Sequence, residues 1–554
     1  MPPKFSKEFK IQLVSGQKPI RQHRTSPCEA NCPAGNPIQA MENHLKEGRR
    51  DEAHALLLTR NPFPGVTGRV CPHPCEQNCN RNRYDEGLAV RSLERFAADS
   101  NGVAPLRPGA PTGKHLAVIG SGPAGMTCAY FAALLGHRVS VFESAPVLGG
   151  VPRTAVPDFR LPKGVVDRET GNILALGIEA YINTVVGKHI GIEQIMQDHD
   201  ACVVAVGNWT ERRLNIPGAE RARPAVAFLK ESNLSRPDFT GLKVLVIGGG
   251  GVAFDCAFTA RRLGAAAVSL LFPEDAEHIK APAEEVAQAR REGLVLHASR
   301  LARRIDERGV EAVKLESFAF DEKGELEAKT IEDDVLQEPA DVVICASGLQ
   351  PALDFLAPLN PARTPRGHLV VDSDMATSVP GLFAAGDIVD GPGTVAAAIG
   401  SGRRTALGLH SRLMDLPDRL MVQVDAERRL VVSGVSPDGQ AHVVDFSEIS
   451  NPGYHEKAPR RESRQAQASS LPFSEIDAGF DAEAAQAEAG RCLHCGHCIN
   501  CGTCVERCPG YILVKDEQEG PFVEYPDECW HCGCCRIGCP TGAISIEFPI
   551  TMRV

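Results

Sequence analysis

Apolar residues gather in this chain as short runs, most of them ended by glycine or an acid and one by proline. HLAVIG (115–120), RVSVFE (138–143), ACVVAVG (201–207), KVLVIGG (243–249), AVSLLF (267–272) and DVVICASG (341–348) all have this form. A run of about five apolar residues bounded by turn formers predicts a strand buried on both faces, as in a parallel sheet covered by helices. The helical period appears elsewhere. IQAMENHLKEGRRDEAHALLLTR places apolar residues at i, i+3 and i+4, which predicts helix through residues 38–60. FSEIDAGFDAEAAQAEAGRC, from 473, reads as a second helix with Ser474 as its cap. RRLVVSGV, from 428, has strand character in a polar, turn-rich stretch. Leu116–Gly136 carries no charge and is long enough to span a bilayer, but its four glycines and Pro123 fit a strand–turn–helix better, so no membrane span is expected.

Two of the strands run into glycine fingerprints. Gly120-x-Gly122-x-x-Gly125 follows the first, and Gly248-x-Gly250-x-x-Ala253 follows the fourth. The first glycine of such a motif permits a tight turn. The second lets the backbone approach a pyrophosphate, and the third packs the next helix on the strand. Glu143 stands at the end of the following strand, where an acid holds a ribose diol. Two such units predict two nucleotides, a flavin and a nicotinamide. Gly381-Leu-Phe-Ala-Ala-Gly-Asp387 comes after the second unit and returns the chain to the first, so the nicotinamide domain is inserted in the flavin domain.

The 554 residues suffice for three or more domains, and 43% hydrophobic with 23% charged residues is a globular composition. A net charge of −11 argues against a nucleic-acid surface. MPPKFSKEFK has no apolar core of a secretory signal, so a cytoplasmic protein is expected. The cysteines change the picture most. There are twenty, bunched in C-x2-C and C-x3-C groups, which in a reducing compartment reads as metal or cluster ligands. Cys498-x2-Cys501-x2-Cys504-x3-Cys508-Pro509 and Cys529-x2-Cys532-x2-Cys535-x3-Cys539-Pro540 form the two-cluster bacterial ferredoxin pattern. Its fourth cysteine serves the other cluster. One 4Fe-4S cluster then takes Cys498, Cys501, Cys504 and Cys539, and the other Cys529, Cys532, Cys535 and Cys508. Cys534 is surplus. Cys128, Cys202, Cys256 and Cys345 stand singly and read as buried structural thiols. Near the start, Cys28-x3-Cys32 and Cys71-x3-Cys75-x3-Cys79 lack the usual zinc spacing.

NPFPGVTGRVC (61–71), VIGSGPAGM, VPDFRLPK, IGGGGVAFD, APAEEV, LFAAGD and EAGRCLHCG together resemble the small-subunit family of glutamate synthase, over nearly the whole chain. The resemblance implies FAD on Gly120, Gly122, Gly125, Glu143, Gly150 and Asp387, with Thr394 at the start of the next helix. It implies a nicotinamide nucleotide by Gly248, Gly250, Gly251 and Asp255. It also implies two further 4Fe-4S clusters in the N-terminal domain, with Glu94 of SLERF as a carboxylate ligand. Two departures stand out. The family's Tyr-Arg-Arg after the second nicotinamide strand is Phe272-Pro273-Glu274 here, so Glu274 predicts NAD(H) in preference to NADP(H). The family's N-terminal C-x2-C is also missing. Cys32, Cys71, Cys75 and Glu94 complete one cluster by the family's order, and Cys28 and Cys79 are left as half of another. Arg491-Cys492-Leu493-His494-Cys495 repeats the lost motif, which predicts that Cys492 and Cys495 fold back to join them.

The expected fold is α/β and multidomain. A helical iron–sulfur domain occupies 1–112. The flavin domain occupies 113–236 and 351–412, around a nicotinamide domain at 237–350. A connector follows at 413–490 and a ferredoxin domain at 491–554. The expected function is electron transfer between NAD(H), FAD and four 4Fe-4S clusters, to or from a partner catalytic subunit. No catalytic base is expected in this chain. No domain for an organic substrate is recognisable, and an attached ferredoxin resembles NAD-coupling subunits of thiamine diphosphate 2-oxoacid oxidoreductases such as phenylglyoxylate dehydrogenase. A glutamate synthase small subunit and a non-catalytic cluster scaffold are the competing readings.

Overall fold

The computed structural model describes residues 19–21, 24–100, 102–212, 214–321, 326–391, 393–435, 442–465, 473–516, 520–525 and 528–546. The N-terminal stretch read for a signal lies outside them. Two five-stranded parallel sheets carry the nucleotide fingerprints. The first is ordered Leu382–Ala384, Ala201–Val204, His115–Ile119, Arg138–Phe142, Glu179–Tyr181. The second is ordered Val295–His297, Ala267–Leu271, Lys243–Ile247, Val342–Cys345, Arg223–Pro224. The apolar runs of the sequence are therefore central strands, and His115–Ile119 and Lys243–Ile247 are buried from their second residue onward. The chain leaves the first sheet after Val204 and re-enters it at Leu382, so the second sheet is an insertion. That sheet also takes up Arg223–Pro224, ahead of its own fingerprint. A three-stranded antiparallel sheet, Arg300–Asp306, Gly309–Phe320 and Leu326–Pro339, projects from it.

The N-terminal region is helical. Residues 38–60 do not form one helix: Ile38–Lys46 and Arg50–Leu58 are separate. Gly48 sits between them at φ +75°, a left-handed conformation that ends a helix and costs glycine little. These helices, with Pro64–Val70 and Val90–Ala98, enclose Ile38, Met41, Leu45, Leu57 and Leu93. Ala485 and Ala489 of the helix Ala482–Ala489 complete the same core. The second predicted helix is thus shorter than its pattern suggested. Asp477–Gly479 pairs as a strand with Arg464–Gln465, and Gly479 turns at φ +69°. Asp481, not Ser474, is the cap: its carboxylate accepts from Ala484 N at 2.8 Å.

The last segment holds the short helices Thr503–Glu506 and Cys534–Gly538 and the hairpin Leu513–Asp516/Gly520–Val523. Its final strand, Ile544–Ile546, pairs antiparallel with Pro19–Arg21. Among the described residues no helix is long and apolar enough to cross a membrane.

Candidate functional site

The first fingerprint has the backbone a dinucleotide needs. Gly120 turns at φ +101°, and a Cβ there would stand 2.5 Å from the Ala205 carbonyl oxygen. At Gly125 a Cβ would meet the Gly120 carbonyl oxygen at 2.0 Å, so only glycine lets the helix Pro123–Leu134 close on the strand. Gly122 faces open space, as a residue against a pyrophosphate must. Gly150, at φ +59°, lies over the Gly122 Cα. Glu143 is buried and held by Ser121 N and Oγ (2.9 and 2.6 Å) on one oxygen and by Ala145 N (2.7 Å) on the other. With Ser144 and Gly150 it lines a broad cleft whose far wall carries Trp209, Arg212 and Lys230. Lys230 Nζ stands 3.9 Å over the Trp209 ring, a pair the sequence gave no signal for. Asp387 opens a short helix, and burial pushes its carboxyl up to about 6. Thr394 caps the helix Val395–Leu413 through Ala397 N. The donor set and the open Gly122 fit FAD.

The second fingerprint repeats the geometry. Gly248 turns at φ +143°, where a Cβ would press on the Ala346 carbonyl oxygen at 2.6 Å, and Gly250 faces open space. Gly251 begins the helix Gly251–Arg262. Glu274 is buried beyond the second strand. Its Oε1 pairs with Lys280 at 2.8 Å, while Oε2 is buried without a partner and lies 3.0 Å from where a Gly249 Cβ would stand. An orphaned carboxylate oxygen beside the glycine loop suits a ribose hydroxyl. Asp255 is turned to another task. It pairs with Arg160 at 2.8 Å, and Arg160 also grips Glu285. Through that pair the VPDFRLPK segment is tied to the inserted sheet.

The cysteines sort into four groups. Burial pushes the Cys504 thiol up to about 12, and Cys539, Cys501 and Cys498 crowd it further. Burial likewise lifts Cys535 to about 11, with Cys508, Cys529 and Cys532 as its neighbours. Each ferredoxin run thus lends its fourth cysteine to the other group. In the helical region Cys32, Cys71, Cys75 and Glu94 line one cavity, together with Ala396. Glu94 is buried, and a single oxygen, Oε1, accepts from Asn36 (2.9 Å), Asn61 (3.1 Å) and Thr67 (2.5 Å). Asn61 and Thr67 both belong to the NPFPGVTGRVC stretch, which was a signal; Asn36 had none.

The fourth group draws on both ends of the chain. Cys28 has Cys492 and Cys79 as charged-form neighbours, and Cys495 has Cys79. Asn80 Nδ2 donates to Cys495 Sγ at 3.4 Å, and Gln39 to the Cys495 carbonyl at 2.8 Å. Arg81, fully buried, donates to the Arg491 carbonyl. Among the described residues no three His, Cys, Asp or Glu side chains are set to share a single ion. Groups of three or four thiols, with a carboxylate as the fourth donor in one of them, suit the iron of a cubane cluster. Cys534 lies beside Cys532 and Cys508 and belongs to neither set of four. Cys128, Cys202 and Cys256 are buried, as expected. Cys345 is not: it is half-buried on the cleft wall, because its strand ends there, and it contacts Ser347 Oγ at 3.2 Å.

Comparison with known proteins bears on all of these regions. Residues 21–104 match the model of dihydropyrimidine dehydrogenase domain II with its 4Fe-4S cluster, and residues 497–543 match a 4Fe-4S dicluster domain. The β subunit of the NADP(+)-dependent formate dehydrogenase of Moorella thermoacetica is 34% identical over 509 residues, covering 85% of this chain and 70% of that one. The β subunit of the NADPH-Fe(3+) oxidoreductase of Geobacter sulfurreducens is 30% identical over 537 residues, 89% of this chain and 79% of that one. The small chain of the NADPH glutamate synthase of Escherichia coli is 32% identical over 412 residues, 69% of this chain and 87% of that one. With residues 114–402 matching its model, the chain belongs to the pyridine nucleotide-disulphide oxidoreductase family, as a flavin and iron–sulfur electron-transfer protein similar to the glutamate synthase small subunit.

Proposed function

We propose that this chain is the NAD(H)-facing subunit of a larger oxidoreductase, with NADH preferred over NADPH and four 4Fe-4S clusters leading to a catalytic partner. FAD would supply the conversion between hydride transfer and single-electron transfer, which nicotinamide and clusters cannot perform alone. The chain's own residues bind and orient. Gly120, Gly122, Gly125, Gly150 and Glu143 hold the flavin nucleotide, with Asp387 and Thr394 at the neighbouring helix starts. Gly248, Gly250, Gly251 and Glu274 hold the nicotinamide nucleotide, and Asp255 acts through Arg160 to fix the domain around it.

The observation that carries the reading is the sequence of ligand groups. Cys32, Cys71, Cys75 and Glu94 lie under the helix that begins at Thr394. Cys28, Cys79, Cys492 and Cys495 come next, and the ferredoxin groups follow three residues after Cys495. Each group is adjacent to the next along the fold or the chain, which suits stepwise electron transfer.

Preference for NADH rests on Glu274, whose unpartnered Oε2 suits a ribose hydroxyl and not a 2′-phosphate, while Lys280 occupies its other oxygen. The named relatives are NADP-type enzymes, so this is where the chain parts from them. Dye reduction by the reconstituted holoprotein tests it. NADH should give the higher kcat/KM, and Glu274→Ser should narrow the gap through KM for NADPH. Higher activity with NADPH in the unaltered protein overturns the preference. The clusters are tested by iron content, expected at about sixteen atoms per chain, with about eight or fewer counting against four clusters.

For the partner we infer a small-organic-acid oxidoreductase. The attached ferredoxin supports a thiamine diphosphate 2-oxoacid enzyme. The match to a formate dehydrogenase β subunit over 85% of the chain supports a formate-type partner as a second reading. Isolation of the native complex and mass spectrometry of its other subunits separate the two.

A further inference from the structure

The helix Val395–Leu413 reaches from the flavin region to the cavity lined by Cys32, Cys71, Cys75 and Glu94. Three of its residues, one turn apart, share the face toward that cavity. Ala396 lines it. Gly400 abuts the loop after Cys32: a Cβ there would stand 2.0 Å from the Pro33 carbonyl oxygen. Arg403 follows, and its guanidinium lies against Gly35, with Nη2 2.6 Å from where a Gly35 Cβ would be.

The surroundings of Arg403 are unusual for a buried cation. Its Nη1 is buried with no hydrogen-bond partner. Among the described residues no carboxylate pairs with it. The charged groups that act on it are Arg60 and Arg404, both cations, and Cys32. Arg404 reaches toward Asp390, and Arg60 is half-buried. A cation taken out of water among other cations persists where an anion is supplied from elsewhere. A 4Fe-4S cluster on three thiolates and a carboxylate is such an anion, and it gains one further negative charge when reduced.

We propose that Arg403 is a positioning residue whose charge stabilises the reduced form of the cluster held by Cys32, Cys71, Cys75 and Glu94, and so raises that cluster's midpoint potential. The inference rests on the ligand assignment above. Its consequence is that this cluster, beside the helix Val395–Leu413, retains an electron more readily than its ligands alone would allow.

An EPR-monitored redox titration of the full-chain holoprotein tests this. Glu94→Gln identifies the signal of the cluster, since it alters a ligand. If Glu94→Gln moves no signal and costs no iron, the ligand assignment has failed and not the role of Arg403. In Arg403→Met that same signal should shift to lower potential, with iron and FAD content and the other signals unchanged. Arg403→Lys should restore most of the shift. Unmoved potentials in an iron-replete Arg403→Met protein overturn the proposal. So does a shift in Arg403→Lys as large as in the methionine variant, which would point to packing. Should Arg403→Met lose iron, Arg403→Gln against Arg403→Lys decides by the same comparison.

Discussion

Between Cys498 and Ile546 half of the side chains in the buried core are thiols. Cys504, Cys508, Cys535 and Cys539 share their core with Ile512, Leu513, Ala543 and Ile544, while Tyr511, Trp530 and Ile537 stand out in solvent. In the helical region the proportion is smaller. Ile38, Met41, Leu45, Leu57, Leu88, Val90 and Leu93 form most of the core, with Cys75 and Cys492 buried among them and Cys28, Cys32 and Cys79 at its edge. The first arrangement needs its metal to have an interior at all. The second builds an interior and then offers a site. The difference follows from how the ligands are spaced: runs with two- and three-residue gaps gather locally, whereas ligands from three distant segments must be brought together by packing.

The largest effect should come from removing iron. Chelation of the holoprotein should expose the Leu513–Asp516/Gly520–Val523 ladder to amide exchange, leaving the helices Ile38–Lys46 and Val90–Ala98 protected. Simultaneous loss of protection in both regions would erase the contrast. A smaller and more selective effect is expected from cysteine pairs. Cys28 and Cys79 changed to Ser should cost one cluster's iron, about four atoms, and so should Cys492 and Cys495. The fourfold variant should lose no more than either pair. Additive losses would mean that the pairs serve different clusters. The smallest effect tests how the C-terminal helix is delivered. Asp481→Ala removes a cap and should cost about 1 kcal/mol in denaturant unfolding, with iron content kept.

What was legible in the sequence follows the same division. The glycine fingerprints and the ferredoxin runs are local, so their spacing alone predicted the parallel sheets and the exchange of Cys508 and Cys539 between groups. Cys28 and Cys79 were joined to Cys492 and Cys495 by a repeated motif, since no periodicity links residues so far apart. The clamp on Glu94 was only partly legible, because Asn61 and Thr67 share one motif while Asn36 and Glu94 come from distant segments. Local backbone features misled at two points. Gly48 splits a helix whose apolar pattern runs through it, and Gly479 delays another until Asp481. Cys345 was misjudged because an apolar strand says nothing of where its end emerges.

The bond between Asn80 and Cys495 also bears on synthesis. The two partners are 415 residues apart. At ~5–20 residues per second, the ribosome leaves Cys28 and Cys79 waiting on the order of tens of seconds for the rest of their group. During that interval the helices around them lack Ala485 and Ala489, and two thiols stand ready for whatever metal or oxidant arrives first. On the proposed ligand set, iron for this group would be delivered only once Cys492 and Cys495 have been made, and a prematurely terminated chain would keep a half-site.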